Sequence, residues 1–89
     1  MTYAVILRRS AERNLERLPR EIQQRIKRHI DDLSEDPRPA TSTPLVGQSD
    51  LRRVRVGDYR IVYSVDDDDL VVVVEAIDHR KDIYRTFNR

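Results

Sequence analysis

A short β-hairpin is the feature that most restricts how this chain can fold. Residues 52–60 read Arg-Arg-Val-Arg-Val-Gly-Asp-Tyr-Arg, so apolar side chains alternate on both sides of the Gly57-Asp58 pair. A Gly-Asp pair between such arms fits a two-residue type II′ turn, which favours glycine at its first central position. The turn sets the register of the two strands, which places Val56 opposite Tyr59 and Arg55 opposite Arg60.

The two faces of this hairpin differ in chemistry. One face is apolar and should meet the core; it carries Val54, Val56, Tyr59, Ile61 and Tyr63. The other face carries Arg53, Arg55 and Arg60, here called the arginine surface. Like charges directly opposite each other destabilise a sheet, and guanidinium groups suit phosphate recognition. The pattern therefore favours a phosphodiester-binding surface, with a solvated face paired to nearby carboxylates as the alternative.

The first half of the chain predicts a strand and two helices. Tyr3 to Arg8 form the strand, and Ser10 is a candidate N-cap for a helix with Ala11, Leu15 and Leu18 on one stripe. A second helix should run from about Pro19 to about Leu33, with Ile22, Ile26, Ile30 and Leu33 on its apolar face. Because three prolines and Gly47 punctuate the next stretch of sequence, we expect a long loop from about Ser34 to Asp50.

The second half predicts three strands, which cover Leu51 to Val56, Tyr59 to Val65 and Leu70 to Ile77. The last of these is apolar on both faces, which marks a covered strand. The expected fold is α+β in the order β-α-α-β-β-β: a helical hairpin on one face of a mainly antiparallel four-stranded sheet, with the other face open to solvent or ligand. A short C-terminal segment completes a single domain of residues 1–89.

Composition limits the classes of site that the chain can form. The 89 residues include no cysteine, so a disulfide or thiolate metal site is excluded. The net charge is only +1, from 17 Lys and Arg against 16 Asp and Glu, so any strong field must come from segregation of charges. The N-terminus is apolar for only a few residues and has no basic leader; we therefore expect no signal peptide, no membrane span and a cytoplasmic location.

A second group of polar residues, His79 to Tyr84, comes directly after the last strand. It brings together a histidine, a residue type able to act as acid or base, with an arginine and a ring able to stack on a base. The structural alternative is that Ile83, Tyr84 and Phe87 anchor a C-terminal turn on the core. His29 and His79 do not form a metal site by spacing, and Asp66 to Asp69 are typical of a turn between strands.

With this element order, the chain resembles the RelE/ParE superfamily of toxins from type II toxin–antitoxin systems. The likeness rests on the helical hairpin and on four segments: Leu45-Val46-Gly47, Arg53 to Val56, Tyr59 to Tyr63, and His79 to Tyr84. In the RelE-like branch, the resemblance implies a metal-independent endoribonuclease without a cofactor, which cleaves mRNA in the ribosomal A site. It also implies a cognate antitoxin and a toxin–antitoxin hetero-oligomer, with no membrane partner.

The resemblance assigns a role to each candidate catalytic residue. Arg53 and Arg55 match basic positions, usually lysines, that act on the attacking 2′-hydroxyl and the phosphate. Arg60 matches the arginine that stabilises the transition state. Arg80 matches the proton-donating arginine, and its neighbour His79 is a second candidate, because related toxins use a C-terminal histidine as general acid. Tyr84 matches the tyrosine that stacks on a base. Arg52, Lys81 and Arg85 are further RNA-binding candidates. Since a guanidinium stays protonated in proteins, we expect Arg53 and Arg55 to act by electrostatics.

Two other functions remain open at the level of sequence. One is a ParE-like inhibitor of DNA gyrase without nuclease activity, because one fold can support both. The other is an inactive homologue whose arginine surface only binds an acidic antitoxin segment.

Overall fold

The computed structural model describes residues 2–45 and 47–79, which form two helices and five strands. In chain order these are β1 (Ala4–Leu7), α1 (Arg9–Glu16), α2 (Arg20–Glu35), β2 (Ser42–Leu45), β3 (Gln48–Val56), β4 (Tyr59–Asp66) and β5 (Val71–His79). The predicted α+β class, helical hairpin and three C-terminal strands are confirmed.

The sheet has five strands in the order β1-β5-β4-β3-β2, one more than predicted. β1 runs parallel to β5, whereas the other pairs are antiparallel. Parallel neighbours need a long connection, and here the two helices and three other strands lie between β1 and β5 in the chain.

The extra strand corrects the predicted loop from Ser34 to Asp50. β2 pairs with β3 and places Ser42 beside Val54 and Thr43 beside Arg53. Proline lacks the N–H that a central strand needs, but an edge strand can accept it. Pro44 lies in β2, at the edge of the sheet, where its missing donor costs little.

The first helix begins differently from the prediction. Arg8 is its N-cap residue and has no side-chain acceptor for the free N–H groups of the first turn, so the assignment of Ser10 as N-cap was wrong. Ser10 instead donates its hydroxyl to the carbonyl of Glu75, at 3.2 Å, which ties α1 to β5. The second helix starts directly after Pro19, close to the predicted position.

The core lies between the helical hairpin and one face of the sheet. The helices contribute Ala11, Leu15, Ile26, Ile30 and Leu33, and the sheet contributes Val54, Val56, Ile61, Tyr63, Val72, Val74 and Ile77. Tyr63 is fully buried and donates its hydroxyl to the carbonyl of Pro37 at 2.8 Å. Burial of each large apolar side chain contributes about 1.5–3 kcal/mol, so this face decides the orientation of the hairpin strands.

The opposite face of the sheet carries a smaller apolar cluster. Leu45 and Val62 are buried there, with Leu51 and Ala76 packed against them. The prediction of an open second face therefore holds for only part of it. A β-bulge also interrupts the pairing of β4 with β5: Val62 pairs with Ala76 but Tyr63 pairs with Val74, which leaves Glu75 as the extra residue.

Neither helix in the described part of the chain is long and apolar enough to cross a membrane.

Candidate RNA-binding site

The arginine surface has the register that the sequence predicts. Arg55 of β3 lies directly opposite Arg60 of β4, and Val56 lies opposite Tyr59. Gly57 has a φ of +61°, whereas Asp58 is not among the described residues with positive φ, which is the pattern of a type II′ turn. Arg53 lies two residues before Arg55 and therefore on the same face.

Local hydrogen bonds orient Arg53 and Arg55. Arg55 is exposed, and its Nε donates to the carbonyl of Gly57 at 2.7 Å. The Nε of Arg53 donates to the hydroxyl of Thr43 at 3.1 Å, across the β2–β3 pair. Each of these bonds uses one nitrogen of a guanidinium group that carries five N–H donors, and such a group can also bind an anion.

The carboxylate-bearing residue Asp78 belongs to the same row, although the sequence pattern did not mark it. Asp78 of β5 pairs with Arg60, so Arg55, Arg60 and Asp78 follow one another across three strands. The Oδ1 of Asp78 accepts a hydrogen bond from the backbone N–H of His79 at 2.8 Å. Sequence alone could not show this neighbour, because the bulge at Glu75 shifts the register of β5 by one residue.

Arg52 lies on the other face of the sheet from the arginine surface. It is paired with Tyr63, and its Nε and Nη2 donate to the hydroxyl of Ser42 at 3.2 and 3.0 Å. Ser42 is buried, and its hydroxyl in turn donates a hydrogen bond to the carbonyl of Pro39 at 2.8 Å. Arg52 therefore contributes to the connection between β2 and β3, and the structure does not bring it together with Arg53, Arg55 and Arg60.

His79 also lies on the helix face. It pairs with Tyr59, and the two rings meet edge to face with centroids 5.7 Å apart and an interplanar angle of 80°. The structure thus places His79 at the same end of the sheet as the arginine surface but on the opposite face. Arg80, Lys81, Tyr84 and Arg85 lie outside the described residues.

One further arginine reaches the hairpin from the helical layer. Arg25 is an exposed residue of α2 whose Nη1 and Nη2 both lie 3.7 Å from the position that a Cβ on Gly57 would occupy. Arg55 contacts the same glycine from the sheet. Since this contact depends on how α2 packs on the sheet, no sequence spacing could have identified Arg25.

The aspartate turn forms a separate polar network at the opposite end of β4. Both guanidinium Nη atoms of Arg38 donate to the Asp67 carboxylate, at 3.0 and 2.8 Å, and the Tyr3 hydroxyl donates to it at 2.8 Å. These bonds, led by those from Arg38, lower the pKa of Asp67 from 3.8 to about 2. Asp66 accepts bonds from the N–H groups of Asp68 and Asp69, which is ordinary turn chemistry as predicted.

Two concave regions flank the core at this acidic end. A cavity of about 470 Å³ is lined by Arg38, Arg52 and Asp66 to Asp68, among others, and a smaller one of about 210 Å³ lies beside the partly buried His29. In residues 2–45 and 47–79, no three His, Asp or Glu side chains are grouped so that they could hold a metal ion.

As a chemical site, the arginine surface is suited to an oxyanion. Hydrogen bonds between guanidinium and phosphate are charge-assisted and roughly twice as strong as neutral ones. Positive groups fixed on a rigid sheet can also stabilise negative charge that develops on phosphoryl oxygens. The geometry therefore fits a phosphodiester that lies across β3 and β4.

Known proteins share both the sequence and the fold. Residues 5–84 match the family model described as the ParE toxin of the type II toxin-antitoxin system, parDE. The chain is 37% identical over 90 aligned residues to Toxin RelG from Mycobacterium tuberculosis, and the alignment covers 96% of this chain and 99% of that protein.

Two solved complexes have the same fold at more than 30% identity. In the RelBE2 toxin–antitoxin complex of Mycobacterium tuberculosis, the matching chain has a TM-score of 0.80 and 32% identity, with 90% of this chain and 100% of that one covered. In the archaeal RelE–RelB complex of Pyrococcus horikoshii OT3, the matching chain has a TM-score of 0.79 and 33% identity, with 90% of this chain and 97% of that one covered. The chain belongs to the ParE toxin family of type II toxin–antitoxin systems, within the RelE/ParE superfamily.

Proposed function

We propose that this toxin is a ribosome-dependent endoribonuclease that cleaves mRNA in the A site. The observation that carries the proposal is the pairing of Arg55 with Arg60, with Arg53 on the same face. The pairing of like charges is unfavourable for the sheet itself. A bound phosphodiester would relieve it, because the phosphate brings negative charge to both guanidinium groups.

The proposed reaction is attack of the 2′-hydroxyl on the adjacent phosphorus. The bond from phosphorus to the 5′ oxygen breaks, which leaves a cyclic phosphate and a 5′-hydroxyl. Arg53, Arg55 and Arg60 hold the phosphoryl oxygens and stabilise the charge of the transition state. Proton donation by Arg80 and base stacking by Tyr84 remain predictions from the family resemblance. The same resemblance offers His79 as a proton donor, but its position on the opposite face of the sheet favours Arg80.

The relatives favour cleavage of RNA over inhibition of gyrase. The relatives above that are more than 30% identical to this chain carry RelG or RelE names. The gyrase-inhibitor alternative has its own support, because the matching family model is named after ParE. Gyrase inhibition predicts double-strand breaks in DNA while translation initially continues.

We propose that a cognate antitoxin neutralises the toxin by covering the arginine surface. Both solved relatives above are complexes of a toxin with its antitoxin. A segment rich in Asp and Glu would complement the charges of Arg53, Arg55 and Arg60. Such a segment would compete directly with the phosphodiester, and the neutralised form would be a hetero-oligomer.

The test is induction of the toxin without antitoxin, followed by mapping of the 5′ ends of cellular mRNAs. We expect cuts at A-site codons and arrest of translation. Arg60→Ala should reduce cleavage by about 10²- to 10³-fold, because it removes a charge that stabilises the transition state. Arg13→Ala, a change of the same kind at an exposed position of α1, serves as the control and should leave cleavage unchanged. Growth arrest with intact mRNAs would refute the proposal. If DNA double-strand breaks accompany that arrest, gyrase becomes the favoured target.

A further inference from the structure

Two guanidinium groups from different layers of the protein meet at one turn. Arg25 of α2 lies against the Cα side of Gly57, with two nitrogens 3.7 Å from a Cβ placed there. Arg55 of β3 binds the carbonyl of the same residue. The tip of the β3–β4 hairpin therefore lies between a helix arginine and a sheet arginine, and it connects the arginine surface with α2.

Neither Arg25 nor Arg55 forms an ion pair with a carboxylate in the described part of the chain. The Glu75 and Asp67 carboxylates pair instead with Arg8 and Arg38. Arg25 and Arg55 are both exposed, so two positive charges lie close together at the molecular surface. An arrangement of this kind is unfavourable alone and becomes favourable when a polyanion binds.

Among the residues that the structure describes, basic and acidic side chains are segregated along the direction of β4. Residues 8–28 contain eight Lys or Arg and three Glu, whereas residues 31–36 and 66–69 contain eight Asp or Glu and no basic residue. Tyr3 joins the two acidic segments through bonds to Ser34 and Asp67. The hairpin tip lies at the other end of β4, about 23 Å away at 3.3 Å per residue. A molecule with a net charge of +1 thus presents a strongly basic end.

Helix α2 shows where the basic region stops. Asp32 and Asp36 follow Arg25 on the same flank of the helix and line the cavity beside His29. A polyanion that contacts Arg25 cannot continue along this flank without meeting carboxylates. The favourable route passes from Arg25 around the turn to Arg55 and onto the sheet.

We propose that Arg25 extends the arginine surface around the hairpin tip, and that this extension binds the sugar–phosphate backbone of RNA outside the scissile phosphate. The inference rests on the proposed function, because it takes RNA as the substrate. The turn exposes Gly57 and Asp58 and has no exposed large apolar side chain, whereas a protein interface would be expected to include an apolar or aromatic anchor. The backbone of RNA requires only cations.

A substitution of Asp58 should change RNA affinity in the opposite direction to a substitution of Arg25. Asp58 is exposed and directly follows Gly57, the residue that both arginines contact, so its carboxylate would repel a phosphate that passes around the turn. Removal of this charge should therefore strengthen RNA binding, whereas removal of the Arg25 charge should weaken it. A role for Arg25 in folding alone would not produce this pair of effects.

The experiment measures binding without cleavage, in full-length toxin that carries Arg60→Ala. Two labelled single-stranded RNAs of unrelated sequence are titrated at several salt concentrations. Arg25→Gln should weaken binding severalfold for both RNAs and make the slope of log K against log salt shallower by about 0.7. Asp58→Asn should strengthen binding. Lys27→Gln is the matched control, because Lys27 is exposed and lies about 200° around α2 from Arg25.

The outcomes separate this inference from the proposed function. Equal effects of Arg25→Gln and Lys27→Gln would show that only net charge matters and would overturn the inference. An unchanged salt slope together with weaker binding of the cognate antitoxin would assign the tip to a protein partner and would also overturn it. The mapping of mRNA ends decides the cleavage activity independently, since wild-type toxin can cleave RNA whatever the effect of Arg25→Gln.

Discussion

Arg55 and Arg60 face each other across β3 and β4, with the carboxylate-bearing Asp78 on the far side of Arg60. The sheet thus contains one repulsive and one attractive neighbour pair in a single row. Cross-strand pairs of this kind change stability by about 0.2–1 kcal/mol each.

Arg55→Thr should therefore stabilise the free toxin while it weakens RNA binding. Threonine suits a strand, and the substitution removes the like charge opposite Arg60. We expect a gain of about 0.5 kcal/mol in the free energy of unfolding, measured by urea denaturation. Arg53→Thr is the control, because Arg53 pairs with Val62 and donates a bond to Thr43. If both variants are destabilised equally, the Arg55–Arg60 pair is not a source of strain.

Asp67 should make stability depend on pH in the acid range. Its bonds to Arg38 and Tyr3 lower its pKa to about 2, so the folded state favours the ionised carboxylate. The stabilisation is present above the ordinary value of 3.8 and is lost as the pH falls towards 2. Asp67→Asn should lower the urea midpoint at neutral pH, and the difference from wild type should shrink across this window. Asp68→Asn is the control in the same turn, because it leaves the bonds of Asp67 to Arg38 and Tyr3 in place.

Tyr3 adds a smaller effect at alkaline pH. Its hydrogen bond to the Asp67 carboxylate raises the pKa of the phenol above 10.0, because ionisation would remove the donor. The stabilisation from this bond is therefore complete below pH 10 and is lost as the pH rises through the higher value. Tyr3→Phe should abolish that part of the alkaline transition. The measurement is a pH titration that monitors phenolate absorbance and unfolding in the same sample.

Tyr63→Phe should destabilise the fold by about 1–2 kcal/mol. The substitution keeps the ring but removes the hydroxyl that donates to Pro37, and both residues are buried. The carbonyl of Pro37 would then lack its protein donor in an apolar environment. Chemical denaturation measures the loss, with Tyr59→Phe as the comparison at a partly exposed ring. A loss of equal size in both variants would assign the effect to the unfolded chain.

Gly57→Ala should cost about 1–2 kcal/mol. The φ of +61° is unfavourable for any residue with a Cβ, whereas the 3.7 Å distance to Arg25 is an ordinary contact. The loss should therefore come from the backbone and not from a clash. Asp58→Ala tests this explanation, because Asp58 is not among the described residues with positive φ. Thermal unfolding of the two variants should differ by several degrees.

Local patterns predicted the parts of the fold that local chemistry determines. The Gly57-Asp58 turn fixed the register of Arg55 and Arg60, and the spacing of Ile22, Ile26 and Ile30 identified the core face of α2. β2 was missed because Pro44 resembles a loop residue, although a proline is tolerated at the edge of a sheet. The position of an edge strand depends on its pairing partner, and four residues of sequence do not contain that information.

In the candidate site, too, sequence could predict only the relationships that lie within one hairpin. Arg53, Arg55 and Arg60 could be placed on one face because they lie on one hairpin. Arg25, Thr43 and Asp78 come from α2, β2 and β5, and their approach depends on tertiary packing. His79 was expected near the arginines and lies on the opposite face, since alternation along β5 places Asp78 there instead.

The bulge at Glu75 decides which residues of the second half of β5 face the arginine surface. If the register of Tyr63 with Val74 continued without a bulge, Glu75 would pair with Val62, Ile77 would stand beside Arg60 and Asp78 would stand beside Tyr59. Every position after Glu75 would exchange sides, so a core isoleucine would enter the charged row and a carboxylate would enter the core. Loss of the bulge from a strand of unchanged length would act on the sheet as a frameshift acts on a coding sequence, whereas deletion of Glu75 itself would keep Ala76 beside Val62 and Asp78 beside Arg60. The bulge is therefore as much a determinant of the arginine site as the arginines themselves.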